Sequence, residues 1–177
     1  LGATKSHVVA DPTEFIIDGI SSQTGFQVSA GSDSLNSAVF LNPMYPGSDE
    51  YVEINYAYGG SGSDSINFNY AIIPTTLIGG NGNDTVSGGW GFDVIRGGDG
   101  NDQLWGLYGN DTLEGDGGND SLSGDVGSDS IVGGDGTDTA IYNGVSAAYI
   151  ISRVTNSSDF LVFESSTGDQ DRLSAVE

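Results

Sequence analysis

The chain has 177 residues, no cysteine, and 25 acidic against 4 basic residues, giving a formal net charge of −21. This balance excludes nucleic acid and anionic membrane surfaces as partners, because both need clustered lysine or arginine. Disulfides cannot hold the fold, and no apolar run approaches the roughly 20 residues that a membrane-spanning helix requires.

Residues 1–58 are polar, with short β-like runs at residues 14–17, 25–28, 38–41 and 51–58. Two fragments, GSDSLN from Gly31 and GSDEYV from Gly47, echo the second half of the repeat described next. They fit either decayed coils of that repeat or ordinary turns rich in Ser and Asp. We expect residues 1–58 to form an N-terminal β extension that covers one end of the fold.

Residues 59–141 contain a nine-residue repeat. Seven tandem copies from Gly79 to Ile141 read GGNGNDTVS, GGWGFDVIR, GGDGNDQLW, GLYGNDTLE, GDGGNDSLS, GDVGSDSIV and GGDGTDTAI, and an eighth, GGSGSDSIN, precedes them at residues 59–67. In the tandem copies, positions one and four are always glycine, position six is always Asp, and position eight is always apolar. The position-six residues are Asp84, Asp93, Asp102, Asp111, Asp120, Asp129 and Asp138.

This pattern excludes helix, since two glycines would cost each helical copy about 2 kcal/mol. It predicts a three-residue strand at positions seven to nine, with the position-eight side chain facing inward, and a six-residue turn. Two copies return the chain to the same side of a roll, so stacked coils bury a continuous apolar column.

Aspartates one coil apart then face each other across about 4.8 Å and repel by about 3 kcal/mol at an effective dielectric of ~20. A cation is required between them. Calcium fits, because it takes carboxylate and carbonyl oxygens at about 2.3–2.6 Å. Magnesium needs shorter bonds, and zinc prefers His or Cys, which the repeats lack.

The repeat block resembles the RTX (repeats-in-toxin) nonapeptide, GGxGxDxUx, over residues 79–141. The resemblance implies an all-β fold, a right-handed parallel β-roll with calcium between turns on both edges. Carried onto this sequence, it pairs Asp84 with Asp102, Asp102 with Asp120, Asp120 with Asp138, Asp93 with Asp111, and Asp111 with Asp129. That predicts about five calcium ions. Carbonyl ligands are expected from the position-four glycines, Gly82, Gly91, Gly100, Gly109, Gly118, Gly127 and Gly136.

Two departures from the pattern modify this expectation. Asp64 precedes Asp84 by two nonapeptides plus two residues. It therefore adds a sixth site only if residues 68–78 form a bulge that accommodates the two extra residues. This segment contains Pro74 and is expected to cross between the walls of the roll. Position two is not glycine at Leu107, Asp116 and Asp125, which predicts either distorted turns or extra carboxylates.

Residues 142–177 are expected to cap the roll. Residues 149–154 and 160–164 predict two strands joined by TNSSD, and the segment resembles the one that caps rolls in secreted RTX proteins. We therefore expect these two strands to form a C-terminal β-hairpin cap. RTX proteins are exported by type I secretion without a cleaved N-terminal signal, and none is visible here. Because the chain stops at Glu177, where a further strand normally follows, a C-terminal secretion signal lies beyond it or is missing.

No catalytic motif is found, and we expect no enzyme. The single histidine is His7, and neither HExxH nor GxSxG occurs. Trp90, Phe92, Trp105 and Tyr108 gather in neighbouring coils. They indicate either a sugar-stacking or protein-contact patch, or simply aromatic side chains covering a small roll.

The sequence thus predicts a calcium-binding β-roll, secreted or on a cell surface, that folds on binding calcium. Five ions would reduce the charge from −21 to −11, which couples binding to folding. One hypothesis is a structural or adhesive module of an adhesin, surface layer or filament, with copies of itself or a surface or matrix component as partner. The alternative is an accessory folding and secretion module of a larger secreted enzyme or toxin.

Overall fold

The computed structural model describes residues 26–27, 34–36, 56–143, 148–153 and 158–176. These residues form an all-β solenoid of about five turns built from parallel stacked coils, as predicted. Its strands are β1 (Phe26–Gln27), β2 (Ser34–Asn36), β3 (Tyr56–Ser61), β4 (Ser65–Asn67), β5 (Thr76–Asn81), β6 (Thr85–Ser87), β7 (Val94–Asp99), β8 (Gln103–Tyr108), β9 (Thr112–Gly117), β10 (Ser121–Val126), β11 (Ser130–Asp135), β12 (Thr139–Ala140), β13 (Tyr149–Arg153), β14 (Phe160–Glu164) and β15 (Gln170–Ser174).

The strands form the two walls of the roll. One sheet has the order β1-β3-β5-β7-β9-β11-β15-β14-β13, and the other has the order β12-β10-β8-β6-β4-β2. Within the regular repeats, neighbouring strands are parallel and pair residues that lie two nonapeptides apart, as in Ile95 beside Leu113 and Leu104 beside Leu122. Two nonapeptides therefore make one coil, as the repeat predicts.

A single apolar column runs through the roll. Its members are the position-eight side chains Val86, Ile95, Leu104, Leu113, Leu122 and Ile131, all 0% exposed. Leu77, Ile66 and Ala57 extend the column at one end, and Leu173 extends it at the other. Burying each large side chain contributes about 1.5–3 kcal/mol, so the column is the main source of packing energy.

Most strands are longer than the three residues predicted. The strands β7 to β11 each have six residues, because positions one to three of the next repeat also pair with the neighbouring coil. Gly98, for example, lies in register with Asp116. Within the nonapeptide copies, β4 and β6 keep the predicted length of three.

The turns whose position two is not glycine keep the regular geometry. Leu107, Asp116 and Asp125 have φ values of 80°, 71° and 65°, in the left-handed region that Gly98 also occupies. This conformation costs a residue with a Cβ about 1–2 kcal/mol. Polar contacts offset part of the cost at Asp116, which accepts hydrogen bonds from Arg96. Of the two alternatives that the sequence left open, the turns are therefore not distorted, and Asp116 and Asp125 add carboxylates to them.

The coil that contains β3 and β4 has the two-residue bulge on which the sixth site depends. Tyr56 pairs with Thr76 and Ser65 with Thr85, so in both pairs the spacing exceeds two nonapeptides by two. The extra residues lie between β4 and β5, where Phe68 and Ala71 are buried and fill the wider turn. As a result, Asp64 enters the same column of turns as Asp84.

At the N-terminal side, the GSDSLN fragment contributes a coil strand. Its strand β2 pairs in parallel with β4, placing Leu35 in register with Ile66. Before the fragment, β1 pairs in parallel with β3. The predicted runs at residues 14–17 and 38–41, the GSDEYV fragment, and His7 lie outside the described residues.

At the C-terminal side, β13 and β14 form the predicted antiparallel hairpin. A further strand, β15, is antiparallel to β14 but parallel to β11, with Leu173 beside Ile131. Arg172 on β15 forms an ion pair with Asp159. No helix in the described part of the chain has the length and hydrophobicity that a membrane-spanning segment requires.

Candidate metal centre

The turns of the roll stack along two edges, and each turn of the nonapeptide copies ends at a buried aspartate. On what we call the first edge, these residues are Asp64, Asp84, Asp102, Asp120 and Asp138, and on the second edge they are Asp93, Asp111 and Asp129. Each is at most 3% exposed. The coil geometry explains this burial, because position six immediately precedes the strand whose position-eight side chain enters the core.

Hydrogen bonds connect the aspartates of each edge into a column. One carboxylate oxygen, Oδ1, accepts a hydrogen bond from the backbone N–H of the aspartate one coil earlier. On the first edge, the donor–acceptor distances are 2.8, 2.7, 2.8 and 2.9 Å, starting with Asp64 donating to Asp84. On the second edge, Asp93 donates to Asp111 and Asp111 to Asp129, both at 2.8 Å. The structure thus brings together every predicted pair, including Asp64 with Asp84.

The second carboxylate oxygen, Oδ2, is buried and has no hydrogen-bond partner in six of these residues: Asp84, Asp102, Asp111, Asp120, Asp129 and Asp138. Burying an unpaired carboxylate oxygen is costly. In the regular turns this atom lies beside the position-one glycine and near the next turn's carbonyl. Asp102 Oδ2, for example, lies beside Gly97, as does the carbonyl oxygen of Gly115. Oxygen atoms of both kinds are the ligands that calcium takes.

The position-four glycines add a second row of carbonyl oxygens along each edge. The oxygens of Gly82, Gly91, Gly100, Gly109 and Gly118 each lie against the position-four glycine of the following turn. Gly127 and Gly136 are the last position-four glycines of these rows. The carbonyl oxygen of Gly109 lies against Gly127, and that of Gly118 lies against Gly136. A side chain at any of these positions would collide with that carbonyl.

Among the described residues, no three Asp, Glu, His or Cys side chains converge as a metal-binding group. Carboxylates alone therefore do not make a coordination sphere in any gap between turns. Each gap offers two aspartates, and the turn carbonyls must supply the remaining oxygens. This oxygen-only donor set fits calcium and excludes the nitrogen and sulfur ligation typical of zinc.

Burial also changes the acidity of the columns. Desolvation raises the pKa of Asp102 to about 6 and the pKa values of Asp111 and Asp129 to about 7, although backbone N–H donors oppose the change. Neighbouring aspartates of the same column raise these values further. Without a cation, the columns therefore resist carrying full negative charge at neutral pH.

Sequence reasoning missed two residues that belong to the second-edge column. Thr75 donates through its N–H and its hydroxyl to Asp93 Oδ1, at 2.7 and 2.8 Å, and Gly89 N–H donates to Asp93 Oδ2. Asp171 accepts a hydrogen bond from Asp129 N–H at 2.8 Å. Thr75 precedes Asp93 by two nonapeptide lengths, and the run Asp171-Arg172-Leu173 repeats the Asp-x-apolar order of positions six to eight. Those signals were visible.

A family model for the RTX calcium-binding nonapeptide repeat, in four copies, matches residues 75–104 and 105–140. Residues 75–140 are RTX calcium-binding nonapeptide repeats. The RTX repeats make the roll a calcium-binding module. The match begins at Thr75, the residue that takes the place of an aspartate in the second-edge column. No curated protein matches the chain.

The second edge of the RTX roll is also apolar on its outer side. Exposed side chains follow one another along it, and we call this surface the apolar edge: Tyr70, Ile72, Trp90, Phe92, Tyr108 and Val126. Trp90 stacks on Tyr108, with ring centroids 4.4 Å apart and planes inclined by 19°. Of the four aromatic residues noted in the sequence, Trp105 is separate, partly buried on β8.

Proposed function

We propose that the chain is an extracellular RTX roll that folds when it binds calcium and serves as a structural or adhesive surface module. The observation that supports calcium-dependent folding is the set of six buried Oδ2 atoms without hydrogen-bond partners in the regular turns. A folded roll without cations would hold these atoms desolvated and unpaired. Calcium satisfies them and neutralises part of the net charge of −21.

An extracellular location follows from the affinity expected of such sites. Weak extracellular modules bind calcium at about 10⁻⁴–10⁻³ M, far above the free concentration kept in the cytosol. RTX repeats are typical of secreted proteins. In this proposal the chain stays unfolded during export and folds outside the cell. Its acidic pairs then have a binding role rather than a catalytic one.

The structural or adhesive role is supported by the apolar edge. Its six large side chains are 46–74% exposed, and contiguous apolar surface of this kind typically marks a contact site. The first edge differs at the equivalent turn positions, where Asn81, Asp99 and Asp135 are exposed. The asymmetry favours one contacting edge and one solvated edge. We take other copies of the same chain as the partner of the apolar edge, because self-association can be measured with the purified chain alone.

The test compares the molar mass of the chain in calcium and in excess EDTA by light scattering after size-exclusion chromatography. We expect oligomers in calcium and monomers in EDTA. The double variant Trp90→Ser and Phe92→Ser should remain monomeric in calcium, whereas the matched control Asn81→Ser and Asp99→Ser on the first edge should still associate. Wild-type chain that stays monomeric at every calcium concentration contradicts the structural role and favours the accessory module.

A further inference from the structure

The last turn of the second edge is assembled from two separate parts of the chain. After β12 the chain still follows the regular coil, since Ile141 N–H donates to Leu122 carbonyl. Tyr142 and Asn143 then occupy the first two positions of the next turn, and Asn143 Nδ2 donates to Asp125 Oδ1 at 3.3 Å. Asn143, at position two of this new turn, therefore lies beside Asp125, at position two of the turn below.

The same turn is completed by residues 169–171. Arg172 N–H donates to Asp129 carbonyl at 2.8 Å, just as Ser130 N–H donates to Asp111 carbonyl at 2.9 Å in the coil below. The strand β15 follows its partner β11 by much more than the two nonapeptides that separate β11 from β9. The β13–β14 hairpin occupies this insertion. We call Tyr142, Asn143 and residues 169–171 the split turn.

Asp171 takes position six of the split turn. It is 5% exposed and accepts the N–H of Asp129 through Oδ1 at 2.8 Å, in the same way and at the same distance as Asp129 accepts that of Asp111. Leu173 follows at position eight and joins the apolar column. An interrupted repeat is thus restored by residues that lie outside the nonapeptide block.

Asp129, in the turn below, holds a buried carboxylate oxygen without a hydrogen-bond partner. It is 3% exposed, and its Oδ2 has no hydrogen-bond partner. That atom lies beside Gly124, as Asp111 Oδ2 lies beside Gly106. The carbonyl oxygen of Gly124, in the following turn, also lies beside Gly106. Asp111 Oδ2 therefore faces the next turn of the roll. For Asp129, the next turn is the split turn.

A small cavity adjoins both halves of the split turn. Tyr142 lines it from one half, Asp169 and Asp171 line it from the other, and Gly127 and Asp125 line it from the turn below. The cavity thus adjoins Asp171 and the position-four glycine Gly127, and Asp129 meets Asp171 through the column hydrogen bond.

We propose that the split turn forms a calcium site of its own, with Asp129 and Asp171 as its carboxylate ligands. This inference rests on the proposed calcium binding of the regular turns. The site ties the C-terminal hairpin to the end of the roll. It also makes closure of the hairpin depend on calcium, because Asp171 joins the column only when β15 pairs with β11.

The test counts bound ions by native mass spectrometry of the full chain, at the lowest free calcium concentration that saturates the wild type. Seven aspartate pairs are joined by the column hydrogen bonds, so we expect seven ions. Asp171→Asn should lose one. The control Asp159→Asn, in the same hairpin region but directed at Arg172, should lose none.

A second pair of variants keeps the proposal open to refutation if Asp171→Asn fails to fold. Asp129→Asn should lose two ions, because Asp129 belongs to two gaps, whereas Asp93→Asn should lose one. Equal losses from Asp129→Asn and Asp93→Asn, or no loss from a folded Asp171→Asn, would overturn the site in the split turn while leaving the regular sites intact. A chain that binds no calcium would instead refute the proposed function.

Discussion

At the residue scale, the position-four glycines set how closely the turns stack. Gly118 has a φ of 136°, and a Cβ there would collide with the carbonyl of Gly100. Its neighbour Gly117 has ordinary backbone geometry, and the nearest atom to an added Cβ is 3.7 Å away. Of these two adjacent glycines, Gly117 therefore has room for a Cβ atom and Gly118 does not.

Gly118→Ala should accordingly destabilise the calcium-bound roll by more than the roughly 1–2 kcal/mol of a left-handed Cβ alone, because the carbonyl row must also separate. Gly117→Ala is the matched control and should change the free energy of unfolding by less than about 0.5 kcal/mol. Chemical unfolding in saturating calcium measures both. Equal losses would show that the turns do not stack as closely as described.

Aspartates within a column should also differ according to how many gaps they serve. Asp111 is hydrogen-bonded to both Asp93 and Asp129, whereas Asp93 meets Thr75 on its other side. Asp111→Asn should therefore weaken calcium binding more than Asp93→Asn, since it removes charge from two gaps. Calcium titrations followed by circular dichroism test this. Similar midpoints for the two variants would refute the pairing of gaps along the second edge.

Most of the columns could be predicted residue by residue. Fixed spacing alone placed Asp84 and Asp102, or Leu104 and Leu122, in the same columns, because two nonapeptides return the chain to the same point. Thr75 and Asp171 were harder to assign, since Thr75 keeps the spacing of two nonapeptides to Asp93 but is not an aspartate, and Asp171 does not keep the spacing. Thr75 lies in a turn lengthened by two residues, and Asp171 follows the inserted hairpin. The hydrogen bonds of the folded register establish that both belong to the column.

At the scale of the elements, each strand is stabilised chiefly by the one side chain that it buries. Leu113→Ala should cost about 2–5 kcal/mol, the range for removing a buried leucine, because Leu113 is 0% exposed in the middle of the column. Val126→Ala, at a side chain 50% exposed, is the control and should cost much less. Urea unfolding in calcium compares them. If Leu113→Ala costs no more than the control, the apolar column is not the core.

The lengths of most strands could not be predicted from the sequence. Positions one to three are rich in glycine, which has low β propensity, so nothing local predicts that β7 continues through Gly97 and Gly98. The neighbouring coils impose that extension through backbone pairing. The bulge before Thr76 could be stated from the sequence only as a condition, because Asp64 joins the column of Asp84 if the chain accommodates two extra residues, as it does.

At the scale of the whole molecule, stacked carboxylates give the metal-free and calcium-bound forms opposite responses to pH. The pKa values of Asp102, Asp111 and Asp129 are raised in the folded roll to about 6 or 7, whereas an unfolded aspartate has a pKa near 3.9. Between about pH 4 and pH 7, the metal-free folded state therefore binds more protons than the unfolded state. Its stability is greatest below about pH 4 and is lost as the pH rises through the folded values.

In EDTA, lowering the pH from 8 to 5 should thus increase the β signal in circular dichroism. In calcium, the same change should weaken binding, because protons compete with the cation for the carboxylates. Calcium titrations at pH 5, 6.5 and 8 provide the comparison. An affinity that does not change with pH would show that these carboxylates are not the ligands.

The central claim is that the stacked turns are stable only with divalent cations between them. Small-angle X-ray scattering of the chain at pH 7.5, first in excess EDTA and then with calcium restored, tests it most directly. We predict an expanded chain in EDTA that becomes a compact roll in calcium. A chain that keeps the same compact dimensions in excess EDTA would contradict the account.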